Sequence, residues 1–162
     1  MLCPCGSERA FNLCCQPYIL GSIKPASPEQ LMRSRYSAYA TQHAKHIFNT
    51  YAKTTRASQS LDEISQWAAQ TKWLKLIIHS SSDFQRQISN GKLAQVEFSA
   101  FYQHQGKIWQ MRECSNFIYE HECWCYLDGD VSESDALVKP KRNEPCFCQS
   151  KKKFKQCCAK NV

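Results

Sequence analysis

One cysteine pattern occurs twice in this chain, once at each end, and it constrains the fold more than any other feature. Both copies have the spacing Cys-x-Cys, eight residues, Cys-Cys. The eight cysteines involved are Cys3, Cys5, Cys14, Cys15, Cys146, Cys148, Cys157 and Cys158. Each copy spans 13 residues, and a segment of that length cannot bury enough apolar surface to fold alone. Some other interaction must therefore hold each unit together.

Metal binding is the interaction that four clustered thiols favour. Structural zinc sites are closed, tetrahedral and often made of four thiolates, and the metal can supply the folding energy of a small unit. The alternatives are two disulfides per unit, or reduced buried thiols. Adjacent cysteines make strained disulfides, and cysteine clusters in a reducing compartment more often hold metal. The sequence therefore predicts one structural zinc site with four cysteine ligands at each end. A site whose zinc is released by oxidation is the less favoured version.

Two other residue types recur at equal positions in the two units. Ser7 matches Ser150, and Phe11 matches Phe154. We expect the serines to make hydrogen bonds around the metal ligands and the phenylalanines to cover the sites.

The composition indicates a globular core between the two units. Of 162 residues, 43% are apolar and 12% are aromatic, which is too many for a disordered chain. No apolar run reaches membrane-spanning length, and the N-terminus lacks the basic and apolar regions of a signal peptide. We therefore expect a cytoplasmic protein with no membrane span. Cys114, Cys123 and Cys125 are interpreted as partly buried small side chains, because three thiols lack a fourth ligand.

The positive charge is confined to the C-terminal end. Residues 139–162 contain eight basic side chains and one acidic one, whereas residues 1–138 contain 13 of each. The formal net charge of +7 is thus the charge of the tail. Four thiolates around one Zn²⁺ carry a net charge of about −2, so the lysines near the second site also offset the charge of its ligands.

Helix signals come before strand signals along the chain. Ser27-Pro28-Glu29-Gln30 and Ser60-Leu61-Asp62-Glu63 begin two helices as capping boxes. The first helix is predicted to run to about Tyr51, and the second to be short. Period-two alternation then predicts strands over 74–79, 93–102, 107–119 and 123–127. This order indicates an α+β fold with helices packed on one face of an antiparallel sheet.

Three units are expected along the chain. They are the first cysteine module over 1–20, the α+β domain over 27–130 and the second cysteine module over 140–162. The polar residues 131–145 are interpreted as a flexible linker to the second module.

The C-terminal module resembles the SEC-C motif, the zinc-binding C-terminus of the translocation ATPase SecA. The resemblance is carried by Arg142-Asn143-Glu144-Pro145-Cys146-Phe147-Cys148 and by Lys152-Lys153-Phe154-Lys155-Gln156-Cys157. The chain departs from the motif where Gln149 and Lys151 replace glycines, where Phe147 replaces proline, and where cysteine replaces histidine as the fourth ligand. The four thiols remain, so the expected metal is unchanged, while the surface around the module differs from that of SecA.

Nearly the whole chain resembles the bacterial YchJ family. The matching runs are Cys3-Pro4-Cys5-Gly6-Ser7, Cys14-Cys15-x-Pro17-Tyr18, most of Pro28 to Tyr39, and Trp124-x-Tyr126-x-Asp128-Gly129. The resemblance implies a middle domain of the nuclear transport factor 2-like type, in which a curved sheet is wrapped with helices into a cone, with a zinc knuckle at each terminus. It implies no reaction. It allows a homodimer, because cones of this type often pair through their sheets.

Binding to another macromolecule is the function that these features favour. SecA's similar tail contacts an export chaperone and is associated with anionic lipid and ribosomes. A basic zinc module suits an acidic protein partner of the chaperone or ribosome-associated kind, and weak non-specific binding of nucleic acid. The residues expected to make this contact are Arg142, Lys152, Lys153, Phe154 and Lys155. The alternative is an end-cap whose lysines serve solubility alone.

A small-molecule site or an enzyme in the cone is the other hypothesis, since such folds often hold a pocket. Its candidate lining residues are Arg35, His43, His79, Glu97 and Glu113. His43 falls on the apolar stripe of the first helix, where a hydrogen-bonded core histidine is favoured over a catalytic base. The sequence shows neither a nucleophile–base set nor a phosphate loop. No catalytic residue is predicted, and enzymatic activity is the less favoured hypothesis.

Overall fold

In the part of the chain that the structure describes, the α-helices precede the strands, as the sequence predicts for an α+β fold. The computed structural model describes residues 1–82, 86–88, 91–148 and 150–160. The helices are α1 (Gln16–Ile19), α2 (Pro28–Ala40), α3 (Ala44–Asn49), α4 (Lys53–Arg56) and α5 (Leu61–Gln70). The strands are β1 (Thr71–Ser81), β2 (Arg86–Ile88), β3 (Gly91–His104), β4 (Lys107–Glu120) and β5 (Cys123–Leu137). Short 3₁₀ helices lie at Phe11–Leu13, Phe154–Gln156 and Cys158–Lys160.

The strands form one antiparallel sheet in the order β1-β3-β4-β5, with β2 paired to β3. Alternation along β3 sends Val96, Phe98 and Ala100 to the inner face, where they pack with α2. Phe101 lies on the outer face with other apolar residues. Shifts of register in the β1–β3 and β4–β5 pairs mark bulges, which bend a sheet.

The first long helix is shorter than predicted. We expected it to reach about Tyr51, but α2 ends at Ala40 and α3 begins at Ala44. Gln42 has a φ of 58°, and the amide of His43 donates to the carbonyl of Ala38 at 2.8 Å. A residue in the left-handed conformation, followed by an amide that bonds to the carbonyl five residues earlier, is a common way for a helix to end. The apolar spacing continues across the break, which is why the sequence pattern missed it.

The last strand is longer than predicted. We expected it to end near Leu127 and residues 131–145 to form a linker, whereas β5 continues to Leu137. Asp128, Gly129 and Asp130 pair with Asn116, Ser115 and Cys114 of β4. Backbone pairing with β4 holds this polar segment in the sheet, although its sequence resembles a turn.

Serine caps begin the two longest helices. Ser27 Oγ accepts a hydrogen bond from the Gln30 amide at 3.2 Å, and Pro28 occupies the first turn of α2. The side-chain oxygen of Gln30 accepts a hydrogen bond from the amide of Ala26 at 2.8 Å. The capping box predicted the amide of Ser27 as the donor, one residue later. Ser60 Oγ caps α5 by accepting from the Glu63 amide at 3.3 Å. None of the described helices is long and apolar enough to cross a bilayer.

The two cysteine modules pack on different sides of the domain. Cys3, Cys5, Phe11 and Cys15 belong to the core that joins α2 to the inner face of the sheet. The C-terminal module packs on the outer face, and the residues of that second core are Leu74, Phe101, Ile108, Cys146, Cys148, Phe154 and Cys158. Both cysteine modules are therefore part of the globular structure.

Candidate metal centres, basic face and central cavity

The N-terminal module brings four sulfur atoms together. The Sγ atoms of Cys3, Cys5, Cys14 and Cys15 all lie within 4.8 Å of one another. Cys5 and Cys14 are 3.7 Å apart, and Cys14 and Cys15 are 3.9 Å apart. All but Cys14 are buried.

The C-terminal module repeats this arrangement. Cys148 Sγ lies 3.5 Å from that of Cys146 and 3.4 Å from that of Cys157, which is 3.9 Å from that of Cys158. A tetrahedron with metal–sulfur bonds of about 2.3 Å places its sulfurs about 3.8 Å apart. A disulfide would need a separation of about 2.05 Å, and all the cysteines are free thiols. The spacing in both modules therefore fits a tetrahedral metal ion.

The surroundings of the two clusters are also duplicated. Ser7 Oγ lies 3.1 Å from Cys14 Sγ, and Ser150 Oγ lies 3.2 Å from Cys157 Sγ. The backbones match as well, because isolated bridges join Leu2 to Ala10 and Pro145 to Lys153. Phe11 and Phe154 each begin a 3₁₀ helix and are buried. The serines and phenylalanines thus occupy the positions expected of them around both clusters.

The N-terminal cluster favours a thiolate. The hydrogen bond with Cys15 is the main cause that lowers the pKa of Cys5 to about 4, and further hydrogen bonds from Ser7 and Cys3 act in the same direction. The same contact with Cys5 raises the pKa of Cys15. The thiol of Cys5 therefore loses its proton more readily than the thiol of Cys15. Metal ligands must be deprotonated, so the lowered pKa of Cys5 favours the binding of a cation.

Helix α2 anchors the N-terminal module. Arg33 donates from Nη1 to the carbonyl of Cys5 at 2.9 Å, while its Nε pairs with Glu29 at 2.7 Å. The hydroxyl of Ser37 lies 3.5 Å from Cys3 Sγ. These contacts fix the cluster to the first long helix of the domain.

The C-terminal module is held on the sheet by aromatic side chains. Phe154 is 4% exposed, and its ring centroid lies 5.9 Å from that of Phe147, which lies 5.5 Å from that of Phe101. We expected Phe154 to contact a partner. That expectation is wrong, because the ring is buried and packs against Phe147 inside the protein. The module is also docked on the domain instead of moving on a flexible linker.

The exposed side of this module carries its positive charge. We call Arg142, Lys151, Lys152, Lys153 and Lys155 the basic face, and all five are exposed. The ion pairs within the described residues are Arg33 with Glu29 and Arg112 with Glu97, so the cations of the basic face have no carboxylate partner there. Lys151 has a φ of 60°, a left-handed conformation that glycine adopts more readily than lysine. Gln149 lies outside the described residues.

A cavity of about 250 Å³ lies between the helices and the inner face of the sheet. Its walls are mostly aromatic, with a few polar side chains. The lining residues are Met32, Arg35, Tyr36, Tyr39, Tyr51, Trp67, Trp73, Phe98, Ala100, Tyr102, Met111, Glu113, Ser115 and Tyr126.

Arg35 and Glu113 line this cavity, and the other three predicted lining residues do not. His43 is exposed before α3, with Nδ1 at 2.9 Å from Thr41 Oγ1, because the helix break turns it outward. His79 is exposed and bonds to Ser99 Oγ at 2.8 Å. Glu97 alternates away from Phe98 and pairs with Arg112 at 2.8 Å.

Sequence reasoning missed several polar residues of the interior, among them Ser115, Tyr126 and His46. Ser115 and Tyr126 both bond to Glu113 Oε1, at 2.6 Å and 2.9 Å, and His46 is buried on α3 beside α2. For Ser115, the alternation along β4 could have indicated an inward position, because Glu113, Ser115 and Phe117 lie on the same face of the strand. The other two carried no pattern that separates them from ordinary core or surface residues.

The remaining cysteines do not build a third cluster. Within the described residues, the groups of cysteine, histidine and acidic side chains close enough to hold a metal are the two four-cysteine clusters. Cys125 is buried, whereas Cys114 and Cys123 are half-buried. Burial is the main cause that raises the pKa of Cys125 to about 11, so this thiol stays protonated near neutral pH.

Family models match two parts of the chain. Residues 27–129 match the middle, nuclear transport factor 2-like domain of YchJ, and residues 142–160 match the SEC-C motif. The chain belongs to the YchJ family. A UPF0225 protein of Vibrio cholerae is 37% identical over 158 residues, covering 98% of this chain and 99% of that protein. A UPF0225 protein of a Shewanella species is 38% identical over 162 residues, covering 98% and 96%.

Two solved structures have a similar fold. A SEC-C motif containing protein from Rhodopseudomonas palustris has a TM-score of 0.71 and 30% identity, covering 82% of this chain and 100% of that one. A sec-c motif containing protein from Psychrobacter arcticus has a TM-score of 0.69 and 28% identity, covering 100% and 97%.

Proposed function

We propose that both clusters bind zinc and that the two ions are structural. Four thiolates with no open position suit Zn²⁺, which prefers soft ligands in a closed tetrahedron. Neighbouring sulfurs 3.4 to 3.9 Å apart, with all four sulfurs of each cluster within 4.8 Å of one another, support this assignment. Each ion would hold a short module in the conformation that lets its phenylalanine pack on the domain.

The zinc-stabilised C-terminal module acts, in this proposal, as a binding adaptor for an acidic protein surface. The observation that carries it is the basic face, whose cations are exposed and have no carboxylate partner within the described residues. The module is docked on the sheet through Phe154 and Phe147, so the cations sit on a rigid support. Clustered charge of one sign on such a support steers and orients an oppositely charged partner.

A charge-reversal experiment tests the basic face. One variant of the full chain carries Lys152→Glu, Lys153→Glu and Lys155→Glu. Its matched control carries Lys45→Glu, Lys53→Glu and Lys107→Glu, which are exposed lysines elsewhere on the surface and change the net charge equally. Each protein is used to capture partners from extracts of its own cells, and the captured proteins are quantified by mass spectrometry at two salt concentrations.

The proposal expects an acidic partner that the wild type and the control capture and the basic-face variant loses. Metal content measured on both variants shows whether the module is still formed. Equal capture by the two variants would leave the module as a stabilising end-cap. Loss of capture after nuclease treatment would show that nucleic acid, and not an acidic protein, occupies the face.

A further inference from the structure

Two opposite charges line the central cavity without pairing with each other. Arg35 is 4% exposed and Glu113 is 8% exposed, and both belong to the cavity wall. The ion pairs within 4.0 Å among the described residues involve other side chains. A buried charge is costly unless it is paired or fully hydrogen-bonded. The cavity therefore presents two charged groups that a bound molecule could satisfy.

The protein itself uses only part of Arg35. Nη1 donates to the carbonyl of Ile47 at 2.8 Å and to Thr50 Oγ1 at 2.7 Å. The guanidinium carbon lies 4.4 Å from the ring centroid of Tyr51 and 4.7 Å from that of Tyr126. These two rings meet edge to face, with centroids 5.4 Å apart, and contact with both of them helps to hold the guanidinium in place. Within the described part of the chain, the recorded hydrogen bonds of Arg35 all come from Nη1, which leaves Nε and Nη2 as donors.

Glu113 is held by one oxygen and leaves the other available. Oε1 accepts from Ser115 and Tyr126, so both of those hydroxyls are donors to it. Gly129 of the neighbouring strand makes room for this arrangement, because a Cβ there would overlap the Glu113 carboxylate and lie 2.9 Å from the Tyr126 hydroxyl. The carboxylate is thus held in place through Oε1. Among the described residues, none donates a hydrogen bond to Oε2, which is left as an acceptor.

Aromatic rings form the rest of the wall. Trp73 lies at the centre, with ring centroids of Tyr36, Tyr39 and Tyr102 at 5.3, 5.2 and 5.3 Å. Such walls favour a flat ring that can stack on them.

From these contacts we infer that the cavity binds an uncharged, planar nitrogen heterocycle of nucleobase size that carries both a ring carbonyl and a ring N–H. The carbonyl oxygen accepts from Arg35, the N–H donates to Glu113, and the ring lies among the aromatic side chains. One positive and one negative wall group sum to zero, so an uncharged ligand with both functions satisfies each without adding a net buried charge. The volume of about 250 Å³ accepts one or two fused rings.

The inference is tested with uracil and hypoxanthine as probes, on the full chain with its metal bound. The matched probe is 1,3-dimethyluracil, which keeps the carbonyls and the ring but has no N–H. The protein variants are Glu113→Gln, which replaces the acceptor with a group of the same shape, and Glu97→Gln, a control on the outer face of the sheet. Binding is measured by titration calorimetry and by ligand-observed NMR.

Wild type and Glu97→Gln are expected to bind at least one N–H probe. Methylation of the probe, or Glu113→Gln, is expected to weaken binding by about tenfold or more, since each removes one hydrogen bond to a buried charge. Absence of binding for both N–H probes at millimolar concentration overturns the inference, and so does equal binding of the methylated probe. If Glu113→Gln fails to fold, the comparison of probes on the wild type decides alone.

Discussion

His46 and Ser34 make a buried polar contact that joins α3 to α2. The hydroxyl of Ser34 donates to the carbonyl of Leu31 at 2.8 Å, so it accepts at 2.9 Å from His46 Nε2. The imidazole is therefore a donor at Nε2 and does not activate the serine as a nucleophile. Burial, helped by the nearby Arg35 and His43, lowers the pKa of His46 to about 4. This histidine stays neutral and supports the helices structurally.

The neutral state of His46 predicts a pH-dependent stability. Unfolding restores the ordinary pKa of 6.5, so the unfolded chain takes up a proton that the folded chain excludes. The contribution of His46 is fully present above about pH 6.5 and is lost as the pH falls toward 4, by up to about 3 kcal/mol.

Denaturant unfolding at about pH 7 and about pH 5 measures this loss. His46→Gln should lose less stability between the two values than the wild type, because glutamine keeps a donor for Ser34 and does not titrate. His79→Gln is the control, since His79 is exposed on β1, and it should behave as the wild type. Equal losses in all three proteins would contradict the assignment.

At the scale of elements, the C-terminal module and the outer face of the sheet depend on each other. Phe101 is completely buried on that face, and Leu74 and Ile108 are buried beside it. The cluster around Phe154 covers all three. An end module on a flexible linker would leave these side chains in water, so the module is a part of the domain's second core.

Loss of the C-terminal metal site should therefore weaken the whole domain. The variant Cys148→Ser with Cys158→Ser is expected to lower the free energy of unfolding by about 2 kcal/mol or more, because the module undocks and exposes Phe101 and its neighbours. Binding of a hydrophobic dye should increase at the same time. The matched control, Cys114→Ser with Cys123→Ser, changes two half-buried thiols outside both clusters. An unchanged unfolding free energy in the first variant would show that the module stabilises only itself.

At the scale of the whole molecule, eight of the 11 cysteines divide equally between an inner-face module and an outer-face module. The zinc proposal then fixes both the metal content and the pattern of thiol reactivity. Protein purified without added metal is expected to contain about two zinc ions per chain. Before chelation a thiol reagent should reach Cys114 and Cys123 quickly and the buried Cys125 slowly, and chelation should release eight further thiols.

Mass spectrometry of the labelled chain, with the metal content measured on the same sample, checks this pattern. Thiols that stay hidden after chelation and appear only after reduction would indicate disulfides. Both structural zinc sites would then have to be withdrawn.

The predictions that held depend on residues that are close in the sequence. The ligand spacing, the caps at Ser27 and Ser60 and the alternation along β3 each act within a few residues, and each appears in the structure as expected. The same alternation already separates Glu97 from Phe98, so the exclusion of Glu97 from the cavity was within reach of the sequence. Local geometry decides these features because helices, strands and short metal units repeat or close over short distances.

What the sequence alone determined is the pair of four-cysteine modules, the α+β order of elements and the location of the positive charge. Only the tertiary structure decided that Phe154 is buried, that the polar end of β5 stays in the sheet, and that Arg35 and Glu113 share a cavity without pairing. Each of these depends on which distant segment supplies the neighbour: the outer face for Phe154, β4 for β5, and Tyr126 for both Arg35 and Glu113. Whether a residue is buried or hydrogen-bonded depends on the segment that packs against it as well as on the residue itself. A local sequence pattern does not show which distant segment that is.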